Sequence, residues 1–119
     1  SEAAHLDNNN HLREWAILPA PKDHRKRGKI MFEMGLVVIT NGINDKLDNV
    51  RFNKELKVAL HRFTCGDWGE MEQEDIEANN EALRNGERLF AAYKTSEGKI
   101  WIITEADRSA TTILFPDEY

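Results

Sequence analysis

The stretch Lys99-Ile100-Trp101-Ile102-Ile103-Thr104-Glu105-Ala106-Asp107-Arg108-Ser109-Ala110-Thr111-Thr112-Ile113-Leu114-Phe115 decides the fold. Two runs rich in β-branched and aromatic residues, Ile100 to Glu105 and Thr111 to Phe115, flank a short polar loop, Ala106 to Ala110. Branched side chains fit a pleated surface and the polar residues supply the turn, so Lys99 to Tyr119 reads as an antiparallel β-hairpin. Just upstream, Leu89 to Tyr93 has the same character and joins Ile100 through the turn-forming Thr95 to Gly98. The whole region therefore predicts a three-stranded antiparallel meander. In its middle strand Ile100 and Ile102 face one side while Trp101 and Ile103 face the other, so both sheet faces are expected to be partly covered.

Towards the N-terminus, Leu36-Val37-Val38-Ile39-Thr40 predicts a first strand that stops at the turn pair Asn41-Gly42. After it Phe52, Leu56, Ala59, Leu60 and Phe63 recur at spacings of three and four, which predicts an amphipathic helix from Val50 to Phe63. Gly66 suits its C-terminal stop. Asp67-Trp68-Gly69-Glu70 then has the spacing of a capping box, in which Asp67 accepts from the third helical N–H and Glu70 reaches back. This predicts a second helix starting there, with Met71, Ile76, Leu83 and Asn80 on its buried side and Asn85-Gly86 at its end. The fold class that results is α+β: a four-stranded, mainly antiparallel sheet with two helices on one face.

With 119 residues, 40% of them apolar and 31% charged, the chain has room for one ordinary core. Residues 1–30 differ from the rest, with a polar Asn8-Asn9-Asn10 run, Pro19, Pro21 and the basic cluster Arg25-Lys26-Arg27. They read as a flexible N-terminal extension containing one helical turn near His11 to Trp15, ahead of a single domain from 31 to 119. Apolar runs such as Leu36 to Ile39 are far too short to span a bilayer, and no secretory pattern opens the sequence. The expectation is a cytoplasmic protein with no membrane contact.

Charge is unevenly placed. Residues 1–30 hold six basic and four acidic side chains, whereas 31–119 hold ten basic and seventeen acidic, a net −7. Phosphate neutralisation needs a basic surface, so the domain is not expected to bind nucleic acid except through the cluster at Arg25 to Lys29. Cys65 is the single cysteine, which rules out an internal disulfide and a cysteine-built zinc cage within the chain. Phosphate-cradling loops, His-Glu-x-x-His, nucleophile elbows and calcium loops do not occur. No metal or cofactor is expected, and no catalytic residue is assigned.

Three constellations nevertheless carry chemistry. The first gathers His61, Cys65, Asp67 and Trp68 at the junction of the two helices; its bland reading is a cap and a buried Trp edge. The second is the hairpin loop, where Glu105, Asp107, Arg108 and Ser109 could bind a polar ligand or position a water. Its bland reading is a turn in which Asp107 caps backbone donors and Arg108 pairs with Glu105. The third is the acidic run from Glu70 to Glu81, with Glu72, Glu74 and Glu77 central to it, which is either a solvated face or an array directed at a basic protein.

The run from Gly66 to Tyr119, with its Gly-Asp-Trp-Gly motif, Asn79-Asn80 and Trp-Ile-Ile-Thr-Glu-Ala-Asp-Arg-Ser-Ala-Thr-Thr-Ile-Leu from Trp101, resembles an uncharacterised family of small bacterial proteins associated with plasmids and integrative elements. The resemblance extends from about Met31 and implies a mobile-element setting. It implies no mechanism. With the acidic domain and the absence of catalytic signatures, it favours a non-enzymatic accessory protein that binds a host or element macromolecule, including a role against restriction or another defence. The alternative is a small-molecule, nucleotide-like binder or hydrolase. That reading requires His61, Asp67, Trp68, Glu105, Asp107 and Arg108 to converge in one pocket.

Overall fold

The apolar alternation of the C-terminal third produces the expected meander. In a computed structural model of the chain, which describes residues 12–15 and 30–119, strands β3 (Leu89–Thr95), β4 (Gly98–Thr104) and β5 (Ala110–Leu114) pair antiparallel in sequence order. Thr95 stands opposite Gly98, leaving Ser96 and Glu97 as a two-residue turn. The preceding elements are β1 (Leu12–Glu14), β2 (Leu36–Thr40), α1 (Asn41–Asp45), α2 (Val50–Thr64) and α3 (Gln73–Asn85), and a 3-10 turn at Pro116–Glu118 follows β5.

The sheet departs from the expected four-stranded, mainly antiparallel arrangement. It has five strands in the order β1-β2-β5-β4-β3, and β2 runs parallel to β5, with Val37 opposite Thr111 and Ile39 opposite Ile113. The long connection from β2 through the helices gives the chain room to return in the same direction, which a parallel pair requires. Both neighbours of β2 are strands, in keeping with the burial of Val37, Val38 and Ile39 on its two faces.

The second correction lies in the region expected to form an extension. Leu12–Glu14 is an extended strand paired antiparallel with β2, where a helical turn was expected, and the Trp15 N–H continues the ladder to the Val37 carbonyl at 2.8 Å. Pairing satisfies backbone groups that would otherwise be an open edge of β2, while the Trp15 side chain packs against the core. The sheet thus draws on residues before Met31. The basic cluster Arg25-Lys26-Arg27 lies outside the described residues.

The expected turn at Asn41-Gly42 is instead the start of the one-turn helix α1. The Glu118 carboxylate accepts from the Thr40 hydroxyl at 2.5 Å and from the Gly42 N–H at 2.9 Å, supplying the free N-terminal donor with a distant acceptor. A side chain 76 residues away is invisible to local reading. Helix α2 follows its periodicity closely. Asn49 caps it by accepting from the N–H groups of Arg51 at 3.0 Å and Phe52 at 3.2 Å. Phe52, Leu56, Ala59, Leu60 and Phe63 are all buried against Ile100, Ile102, Ile113 and Tyr93. Each large side chain among them contributes on the order of 1.5–3 kcal/mol through removal from water. At the C-terminus, Gly66 adopts φ +84° and donates to Phe63, while Asp67 donates to Arg62 at 2.9 Å. This paired closure is why the helix stops there.

The third correction is the start of the second long helix. Residues 67–70 do not form its first turn; α3 begins at Gln73, with Glu72 at the N-cap. Asn79 and Ala82 are buried and Ile76, Leu83 and Met71 pack partly against the core, whereas Asn80 is exposed. On the sheet face away from this core, Val38, Ile103 and Leu114 are buried. Phe90 and Tyr119 pack on Trp101 there, with ring centroids at 4.8 and 5.6 Å.

Candidate functional site

Segment 67–70 adds to the sheet instead of opening a helix. Glu70 N–H donates to the Ala92 carbonyl at 2.7 Å and Ala92 N–H to the Trp68 carbonyl at 3.3 Å, so Gly69 forms a one-residue parallel bridge on the outer edge of β3. A side chain at Gly69, where φ is +78°, would overlap the Ala92 carbonyl oxygen and the Tyr93 ring, so only glycine allows this approach. Two residues along the same edge, the Asn79 amide imitates a strand: its Nδ2 donates to the Phe90 carbonyl and its Oδ1 accepts from the Phe90 N–H at 3.1 Å. Asn80 accepts from Trp68 Nε1 at 2.9 Å. The Gly-Asp-Trp-Gly motif and the Asn pair thus close an open sheet edge together.

This arrangement fixes the candidate residues of the helix junction. Asp67 binds Arg62 through two oxygens, at 2.8 and 3.1 Å, and accepts from the Gly69 N–H at 3.1 Å. The Arg62 hydrogen bond, assisted by that backbone donor, holds its carboxyl below the usual carboxylate range despite some desolvation. The Asp67 carbonyl accepts from the buried Tyr93 hydroxyl at 2.6 Å, and burial pushes that phenol well above its ordinary value. Trp68 is only 2% exposed, which makes it a core residue. His61 Nε2 lies 3.8 Å from Cys65 Sγ in the last turn of α2.

The hairpin loop is similarly committed to its own shape. Arg108 N–H donates to the Glu105 carbonyl at 2.9 Å, closing the turn, and Arg108 itself takes a left-handed φ of 60°. Its guanidinium donates to the carbonyls of Glu87 at 2.7 Å and Glu105 at 3.1 Å, so Glu105 is engaged through its backbone oxygen. Asp107 accepts from the Ser109 N–H at 3.0 Å and the Ser109 hydroxyl at 2.5 Å, and these bonds lower its pKa. Below the loop, Thr111 donates to the Met34 carbonyl at 2.7 Å, and its hydroxyl lies 2.6 Å from that of the equally buried Thr104.

Phe32 links junction and loop. Its ring stacks 6.4 Å from Trp68, meets Phe63 edge-on at 5.2 Å, and carries the Arg108 guanidinium 5.7 Å from its centroid. The two constellations therefore meet across an apolar ring, with the Asp67 carboxylate held by Arg62 from the last turn of α2 and the Asp107 carboxylate by Ser109 in its own loop. Among the described residues, no buried side-chain nitrogen or oxygen lacks a partner. No cluster of three or more His, Cys, Asp or Glu among them could hold a metal ion, and no helix is long and apolar enough to cross a membrane.

The acidic residues behave differently. Glu72, Glu74, Asp75, Glu77 and Glu81 are all exposed, and among the described residues none forms a salt bridge. Glu74, Glu77 and Glu81 follow one another at spacings of three and four along α3 and so share one stripe of its surface. Only Glu77 accepts a side-chain hydrogen bond, from Gln73 at 3.1 Å.

Sequence reading missed Phe32 and the part played by Asn79. Asn79 did carry a signal, because its spacing from Ile76 and Leu83 places it on the buried side of α3, where an amide needs a partner. Comparison with protein-family models, curated proteins and solved structures finds no match to the chain.

Proposed function

We propose that the chain is a non-enzymatic accessory protein of a mobile genetic element, acting in the cytoplasm by binding a basic host or element protein through the acidic face of α3. The observation that carries this reading is the stripe of Glu74, Glu77 and Glu81, together with Glu72 at the N-cap of the same helix, all exposed and without salt bridges among the described residues. Elsewhere the polar side chains of interest have local partners: Asp67 with Arg62, Asp107 with Ser109, and Arg108 with backbone carbonyls. Unneutralised carboxylates at helical spacing cost a few tenths of a kcal/mol in mutual repulsion. A basic partner removes that cost and gains from complementary potential. A carboxylate row also presents the charge of a phosphate backbone, which suits a protein that normally grips DNA, such as a restriction component.

The test is binding after neutralisation of the stripe. Glu72→Gln, Glu74→Gln and Glu77→Gln together should abolish capture of a partner from bacterial lysate, and salt should weaken capture by the wild-type chain. Capture that survives the triple substitution unchanged would exclude α3 as the binding face.

A further inference from the structure

Helix α2 exposes a face of the opposite sign. Val50 and Val58 are 69% and 58% exposed, and Arg51, Lys54 and Lys57 are exposed between them. Arg51 makes only an open contact of 3.5 Å with Glu55, and neither Lys54 nor Lys57 has a carboxylate partner among the described residues. The spacing puts Val50, Lys54 and Lys57 along one line and Arg51, Lys54 and Val58 along the next, a single strip of apolar and cationic surface. Large exposed valines flanked by cations are surplus to the fold, since α2 already buries Phe52, Leu56, Ala59, Leu60 and Phe63.

We infer that this face of α2 docks the acidic face of α3 on a second copy of the chain. The proposal rests on the reading of α3 as a binding surface and names one of its partners. Within one molecule the faces cannot meet, because both helices turn their opposite sides to the same core. Between molecules they match in length as well as sign. Arg51 to Lys57 and Glu74 to Glu81 each span about 10 Å at a rise of 1.5 Å per residue. A nucleic acid would meet the same cations, but it would also meet the repulsion of a domain with net charge −7, and the valines offer it nothing. Self-association would hide the α3 stripe, so the free monomer is the form that captures a basic partner.

Sedimentation velocity on charge-reversed pairs tests this. At low salt the wild-type chain should associate at concentrations on the order of 100 μM or below, and it should dissociate at about 0.5 M salt, where screening reaches only ~4 Å. Lys54→Glu with Lys57→Glu should weaken association at least ~10-fold, and so should Glu74→Lys with Glu77→Lys. Mixing the two variants should restore it, because each then offers the other a complementary face; circular dichroism on each verifies folding. A wild-type chain that stays monomeric at low salt, or a mixture of folded variants that does not associate, overturns the inference. Binding of a single-stranded oligonucleotide lost in the α2 variant also overturns it. The α2 variant keeps the α3 stripe intact, so partner capture by that variant without any self-association would leave the proposed function standing alone.

Discussion

Replacing Asn79 with Ala removes the amide that closes the edge of β3. In the wild-type chain its Nδ2 donates to the Phe90 carbonyl and its Oδ1 accepts from the Phe90 N–H at 3.1 Å, with the side chain 5% exposed. Alanine leaves both backbone groups under α3 without a partner. An unsatisfied buried group costs about 1–3 kcal/mol, and the better helix propensity of Ala returns only about 0.5 kcal/mol. The expected loss is therefore about 2–4 kcal/mol, out of a total stability on the order of 5–15 kcal/mol for a domain of this kind. Urea unfolding followed by tryptophan fluorescence should show a lower midpoint at constant slope, and the melting temperature should fall by roughly 10–15 °C. Asn79→Asp sharpens the test. At neutral pH its second oxygen faces the Phe90 carbonyl and should cost as much as Ala. Such a buried carboxyl has a folded pKa above its unfolded value of about 4, so the variant should regain stability as pH falls and the protonated oxygen donates. A loss below about 0.5 kcal/mol in the Ala variant would refute the edge-closing role of Asn79.

Gly69→Ala should cost about 2–4 kcal/mol, from a left-handed backbone and overlap with the Ala92 carbonyl, whereas Gly86→Ala, with open space around it, should cost about 1 kcal/mol; thermal melts rank the two. Arg108→Ala should destabilise by about 1–3 kcal/mol through loss of its bonds to the Glu87 and Glu105 carbonyls, and Arg108→Gly by about 1 kcal/mol less, because glycine relieves the φ of 60°. Equal losses in chemical denaturation would dismiss backbone strain at that position. Asp67 has a lowered pKa, so its contribution is present above its unfolded value and disappears as pH drops through the folded one. The gap between wild type and Asp67→Asn, no more than about 1 kcal/mol because the Arg62 pair is half exposed, should begin to narrow at about pH 4, the unfolded value, and close only below the folded one, in a pH series of melts.

Local pattern was enough for the meander and for α2, because period-two and period-three-to-four spacings are local properties of Leu89 to Leu114 and of Phe52 to Phe63. It failed where a distant group intervened. Asp67-Trp68-Gly69-Glu70 has the spacing of a helix cap, yet the chain gains more by giving those backbone groups to the edge of β3 and the Asp67 carboxylate to Arg62. Asn41-Gly42 looks like a turn until Glu118 reaches the Gly42 N–H. Leu12–Glu14 has no strand signal of its own and takes extended structure because β2 offers a partner edge. The candidate site was legible as chemistry and illegible as geometry. Composition could not reveal that Arg108 serves carbonyls, or that Phe32 fills the space between Trp68 and Arg108. The contrasting exposed stripes of α2 and α3 were legible only for the acidic member, where the charges are dense.

The most direct measurement is a quantitative capture experiment from bacterial lysate with three chains side by side: wild type, the Glu72→Gln, Glu74→Gln, Glu77→Gln variant, and an Asp107→Asn, Ser109→Ala loop variant. Binding through α3 predicts that the wild-type and loop-variant chains retain the same basic protein and that the α3 variant loses it. Retention by the α3 variant with loss in the loop variant would contradict the account and move the site to the hairpin loop.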